Sequence, residues 1–325
     1  MNRLFKTVVL GIFLFWGTAF QWAGAQTLEE ATNTYNQGVA LASTDLPGAI
    51  AALQQAADIA RKLGDEGTEI LNLSQQQMPA LQYNYATSLY KEKKMDEAIT
   101  NFELAYEYAD NVGDEGIKAK TADLIPKLYR AKGNGEYKAE QYDAALESFA
   151  KALKYDPSYA GAYLSEGLVY NKQNNTPLMK VAMDSAIVTG KRTNDDKTVE
   201  QAVKFMSDHL MVEANNAFKK NDFNKAITLL DEATAYDENN PELYYLYALS
   251  YNKLSKWDEA ILSGEKGLNA EEKTAAKQAR FYFEMGNAQA GKGATDEACA
   301  SFRKAAVGPL AESANYQIKT VLKCS

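Results

Sequence analysis

His209 is the single histidine of the 325-residue chain. A lone imidazole completes neither a tetrahedral metal site nor a nucleophile–base relay, since each needs further members. It stands just ahead of a helical segment, where an ordinary helix-start role accounts for it. The acidic turn Tyr236-Asp237-Glu238-Asn239-Asn240-Pro241 offers oxygen ligands, but it lacks the alternating ligands, central glycine and terminal glutamate of a calcium loop. A turn between helices explains that composition better. No glycine-rich phosphate loop follows a strand, and no strand pattern is evident. Carboxylates are frequent along the helical segments, so no pair stands out as an acid–base couple. Catalysis, a bound metal and a cofactor are therefore not expected.

The elements that would have to position a site are easier to read. The stretch from Pro126 to Tyr159, PKLYRAKGNGEYKAEQYDAALESFAKALKYDPSY, has the apolar spacing of two amphipathic helices joined by a short polar turn. Gly133 and Ala145 are small enough to let two helices cross closely, and Tyr129 and Phe149 fill the space around the crossing. Taken in order, Tyr129, Gly133, Ala145, Phe149, Ala152 and Pro157 resemble the 34-residue pattern of the tetratricopeptide family. Two positions depart from it. Lys132 stands where Leu is usual, and Glu136, followed by Tyr137, stands where Tyr is usual.

Variants of this unit recur near residues 28–63, 79–112, 126–159, 160–193, 207–240, 241–274 and 279–308. The first is degenerate, with Gly38, Ala49, Leu53 and Ala56 in step after one inserted residue. Ala98, Phe102 and Ala105 mark the second. Gly167, Tyr170 and Ala186 mark the fourth, with Met179 and Met183 in place of the usual Ala and aromatic. The fifth carries Ala214, Ala226 and Leu230. In the sixth, Ala248 and Ala260 are joined by Gly264 and Gly267, where larger residues are common, and the seventh has Gly286, Ala298 and Phe302. The expected fold is all-α: a solenoid of about seven helix-turn-helix repeats, each burying its apolar face on the next. Residues 310–323 keep helical spacing through Leu310, Ala314, Ile318 and Leu322, and supply the closing helix that a terminal repeat needs.

The intervals between the anchor positions Ala49, Ala98, Ala145, Met179, Ala226, Ala260 and Ala298 are 49, 47, 34, 47, 34 and 38 residues. Each of the three long intervals predicts about four extra helical turns. The additions begin after Gly64–Gly67, after Gly113–Gly116 and at Asn194-Asp195-Asp196. Either the first helix of the repeat is lengthened or an extra helix precedes it. Pro79 and Pro126 predict a kink or a break inside two of the three.

Residues 1–25 have the pattern of a signal peptide. Arg3 and Lys6 precede an apolar run from Thr7 to Phe20, and Ala23-Gly24-Ala25 offers a cleavage site before Gln26. No Cys lies near that site, so lipid attachment is not supported, and no later stretch has membrane-spanning length. Residues 26–325 are thus read as one repeat domain, exported to the periplasm or secreted, and not stably inserted in a membrane. In that setting Cys299 and Cys324, both on helices that must pack near the end of the chain, are either a structural disulfide, which we favour, or two unpaired thiols. Cleavage leaves 33 Lys and Arg against 43 Asp and Glu, a net charge of −10. With no basic stripe, nucleic acid is not an expected partner.

The family resemblance implies a superhelix whose inner wall comes from the first helix of each repeat. On that basis Arg130, Asn134 and Tyr137 line a groove, followed by Leu164, Leu168 and Asn171, and by Met211, Asn215 and Phe218. Tyr245, Leu249 and Asn252 continue it, and Phe283 and Asn287 end it. Asn pairs with both donor and acceptor of a peptide backbone. The carboxylate clamp of the family's chaperone-adaptor members is incomplete here: Arg130 and Asn134 fit it, but Leu168 replaces an Asn, and Met211 and Asn215 replace the basic pair. The reading that follows is a non-catalytic scaffold for a protein or peptide partner in the cell envelope. The alternative is a glycan-binding protein resembling those of outer-membrane carbohydrate-capture systems. Exposed aromatic platforms would favour it, but beyond the signal segment the only Trp is Trp257, at a helix start.

Overall fold

A computed structural model of the chain describes residues 27–325; residues 1–25, whose pattern is read above as a signal peptide, lie outside the described residues. These residues form fifteen α-helices and no strand. Contacts divide the chain into two compact units. In the first, α1 (Leu28–Leu41), α2 (Leu46–Lys62), α3 (Thr68–Lys91) and α4 (Met95–Val112) each pack on the next, and α1 also touches α3. The division falls within α5 (Glu115–Lys138), between Thr121 and Ala122. The second unit continues with α6 (Tyr142–Tyr155), α7 (Ala160–Lys172), α8 (Thr176–Thr193), α9 (Asp196–Lys219) and α10 (Phe223–Tyr236). It ends with α11 (Pro241–Lys253), α12 (Trp257–Ala270), α13 (Ala275–Gly291), α14 (Thr295–Ala305) and α15 (Ala311–Tyr316). Sequence neighbours from α6 to α14 pack in turn, and α7, α9, α11 and α13 also touch one another in series. The first helices of successive repeats therefore share one layer, as an α-solenoid requires.

Local chemistry sets the helix ends. Thr27, Asp45, Asp195 and Asp222 accept hydrogen bonds from backbone N–H groups three residues on, which satisfies otherwise orphaned donors. The turn inside each of the last six repeats is the same. One residue adopts a left-handed conformation (Lys93, Glu140, Asn174, Asn221, Ser255 or Gly293), and the next N–H reaches back five residues, as from Lys94 to Leu89 and from Lys256 to Tyr251. This is the Schellman closure.

The three long intervals are lengthened first helices. α3, α5 and α9 each run 24 residues; a single 3-10 turn, Gly64–Gly67, leads into α3, and no separate α-helix is added ahead of any of the three. Of the kink or break expected at Pro79 and Pro126, the break does not occur: both lie inside continuous helices. Each forfeits one backbone hydrogen bond, but both rings are buried, where packing holds the helix together.

The core is built at the crossings. A Cβ on Gly133 would come within 2.5 Å of the fully buried Phe149 ring, and one on Gly167 within 2.7 Å of Met183. The sixth repeat reverses the arrangement. Its second helix carries Gly264 and Gly267, and Met285 and Phe281 of the following α13 occupy that space, so that added Cβ atoms would lie 2.3 and 2.1 Å from them. At the end of the chain, α15 has only six residues and passes into a π-helical turn, Gln317–Val321. Ala314, Ile318 and Leu322 cover Ala298, Phe302 and Ala305. Cys299 and Cys324 are joined by a disulfide with Cα atoms 5.9 Å apart. Among the described residues no helix is long and apolar enough to cross a membrane.

Candidate functional site

The groove positions divide into those the fold uses for itself and those that face a cavity. Leu164 is 5% exposed and belongs to the core, so it is removed from the groove set. Arg130 spans two repeats: its guanidinium donates to Ser165 Oγ at 3.2 Å and to the Tyr159 hydroxyl at 3.3 Å, and lies 5.6 Å from the Tyr159 ring centre. Tyr137 packs beside Tyr142 and the Ala145–Phe149 cluster. Phe218 meets Phe223 edge-on, and Phe283 meets Phe302 in the same way. These rings join the two helices of one repeat, since an aromatic edge-to-face pair buries more area there than it could in an open groove. Asn134, Leu168 and Asn171 are half-buried on α5 and α7, and Leu168 rests on the core cluster.

Asn252 and Asn287 are also committed. Asn252 Nδ2 donates to the Glu284 carbonyl at 3.0 Å and to its carboxylate at 2.9 Å, and Asn287 Nδ2 donates to the same carboxylate at 3.2 Å. Burial holds the Glu284 carboxyl above its ordinary pKa, against the opposing effect of these two amides and of Lys253. Glu284 is 7% exposed. Sequence reading missed it because the partners of this carboxylate come from two repeats.

Four of the remaining residues converge. Met211 and Asn215 on α9, with Tyr245 and Leu249 on α11, line a mainly apolar cavity of about 300 Å³ completed by Val212, Glu242 and Leu246. Val212 is 58% exposed at its rim. Tyr245 stands edge-on to Phe281 at 6.0 Å, and Arg280 lies over it at 5.1 Å from the ring centre. Arg280 is fixed by ion pairs of 2.6 Å to both Glu242 and Glu271. That network makes a charged edge beside an apolar floor. Val212, Leu246 and Arg280 were not among the sequence candidates. Only the 3.6-residue drift along the lengthened α9 and the spacing of α11 could have pointed to the first two.

The arrangement suits a large apolar side chain, with the Asn215 amide beside it for a backbone group. It holds no nucleophile–base pair, and among the described residues no group of three or more His, Cys, Asp and Glu is placed to hold a metal ion.

A tetratricopeptide repeat family model matches residues 130–178, and one described as anaphase-promoting complex, cyclosome, subunit 3 matches residues 185–266. No curated protein matches the chain. Among solved structures it is similar to MamA, at 25% identity over 53% of this chain and 91% of that one, with a TM-score of 0.29. It is also similar to the TPR2AB domain of yeast Sti1 in a pHSP90 complex, at 16% identity over 76% and 98% of the two chains and a TM-score of 0.32. A tetratricopeptide repeat protein from Parabacteroides merdae is 15% identical over 91% and 100%, with a TM-score of 0.30. At these scores the likenesses carry nothing about a partner.

Proposed function

This chain is a tetratricopeptide repeat protein, and from that premise we propose that it is a non-catalytic, exported scaffold holding a peptide or protein segment against its later first helices. The observation that supports this reading is the convergence of Met211, Asn215, Tyr245 and Leu249 on one cavity of about 300 Å³. An apolar anchor buried there, beside an amide able to pair with a backbone, is how a short segment gains both affinity and register. Export rests on the residue pattern of positions 1–25. The glycan alternative gains no support from Trp257, whose ring packs so closely that a Cβ on Gly291 would be 2.8 Å away.

The test is affinity capture from a cell-envelope extract. The bait is the chain from Gln26 onward, beside a Met211→Ala, Asn215→Ala, Leu249→Ala variant whose helix content matches by circular dichroism. A protein retained by the parent and lost with the variant supports the reading. Equal retention by both sinks it, as does retention of glycan alone.

A further inference from the structure

The face of α11 opposite the Met211–Leu249 cavity borders a second cavity, of about 290 Å³, between α10 and α12. One wall is a run of tyrosines, Tyr244, Tyr247 and Tyr251, whose rings stack with centres 6.3 and 5.9 Å apart. Two carboxylates reach the cavity from the flanking helices, Asp231 from α10 and Glu259 from α12. Asp231 accepts the Tyr247 hydroxyl at 2.6 Å, and among the described residues neither carboxylate forms an ion pair. The chain's own ammonium groups already settle on the two outer rings. Lys266, which lines the cavity, lies 6.0 Å from the Tyr244 centre, and Lys256 lies 5.9 Å from that of Tyr251. Burial and the negative field of Asp231 and Glu259 together push the Tyr251 phenol up. A cavity walled by aromatic rings and two unneutralised carboxylates selects positive charge by cation–π attraction and Coulomb attraction together.

We propose that this cavity binds an organic cation, a primary ammonium or guanidinium group held between Asp231 and Glu259 with its alkyl stem on the tyrosine wall. The group can belong to a free polyamine or to a Lys or Arg side chain of a peptide. The site is separate from the Met211–Leu249 cavity, so either assignment can fail without the other.

The experiment is a calorimetric titration of the purified protein with agmatine and, in a second arm, with a capped Ala-Arg-Ala peptide, using pentanamide as the neutral control. Saturable binding of either cation, with pentanamide silent, is the expected result. Equal affinity for both identifies a free cation as sufficient, and binding of the peptide alone identifies a side chain as the source. Asp231→Asn and Glu259→Gln each weaken binding about tenfold, and Lys266→Ala tightens it about threefold by removing a like charge. That last gain is one a purely structural role for these residues would not produce. Asp231→Asn keeps an acceptor for Tyr247, and Glu259 is exposed, so both variants should retain parental circular dichroism. The proposal is overturned if neither cation binds saturably at millimolar concentration, if pentanamide binds as tightly, or if both carboxylate variants bind like the parent.

Discussion

Gly267 and Phe281 show how much one residue's size matters in this chain. A Cβ at position 267 would lie 2.1 Å from a ring that is fully buried and cannot retreat. Gly267→Ala is therefore expected to destabilise by about 1–2 kcal/mol, overpacking outweighing alanine's better helix propensity; a rise in the denaturation midpoint would contradict it. Glu166 is a second single-residue case. It occupies a helical position next to the glycine of its crossing, and burial alone pushes its carboxyl up to about 7. The folded state thus binds a proton more tightly than the unfolded chain, whose carboxyl titrates near 4.5. Its favourable contribution is complete below that pH and is lost as the pH rises toward 7. Glu166→Gln should flatten stability between pH 4.5 and 7 and gain on the order of 1 kcal/mol at pH 8, after allowance for partial exposure. Denaturation midpoints at pH 5 and pH 8 check this; an unchanged pH slope refutes the assignment. Gly133 and Phe149 were legible in the sequence, because one repeat's own spacing brings them together. The Asn252–Glu284–Asn287 network was not, because its members belong to different repeats.

At the scale of elements, the repeated turn carries a measurable strain. Ser255 holds φ of 58° at the end of α11, where Gly293 serves in the following repeat. Ser255→Gly should stabilise by about 0.5–1 kcal/mol, the left-handed penalty exceeding the extra entropy of glycine in the unfolded chain. Thermal unfolding of the variant tests it, and a lower midpoint would count against it. The closing segment is a different kind of element. α15 and the turn after it bury little beyond Ala314, so the Cys299–Cys324 bond, with its 25-residue separation, is a main tie. Cys324→Ser is expected to destabilise by about 3 kcal/mol on the chain-entropy account, and to speed amide exchange in residues 311–324. Exchange equal to that of the parent would show that packing alone holds the segment. Interval arithmetic predicted the extra helical turns and left open whether they lengthen the first helix or form a separate one, a choice that the 24-residue α3, α5 and α9 decide. Continuity through Pro79 and Pro126 was not predicted, since burial of those rings is a tertiary fact.

At the scale of the whole molecule, charge sets the character of encounters. The chain carries a formal net charge of −8, which favours partners with basic patches by steering their approach. Association with such a partner should slow by about an order of magnitude between 50 and 500 mM salt while its dissociation changes little. Stopped-flow kinetics on the captured partner measures this, and salt-independent association would remove electrostatic steering from the account. The sequence by itself determined the helical repeat architecture, the positions of the crossings and where three repeats carry additional helical turns. These follow from periodicity and residue size, which act over one or two turns of neighbouring chain. Only the tertiary structure decided which groove residues face a cavity. Arg130, Asn252 and Phe283 are drawn into contacts with other helices, and Asn287 is held by Glu284 of its own helix, while Met211, Asn215, Tyr245 and Leu249 are left around an opening. The position of a residue within its repeat fixes the direction of its Cα–Cβ bond, but what that bond points at depends on the side chains that the packing brings up to it, as Ser165 and Glu284 are brought to Arg130 and Asn252 from 35 and 32 residues away.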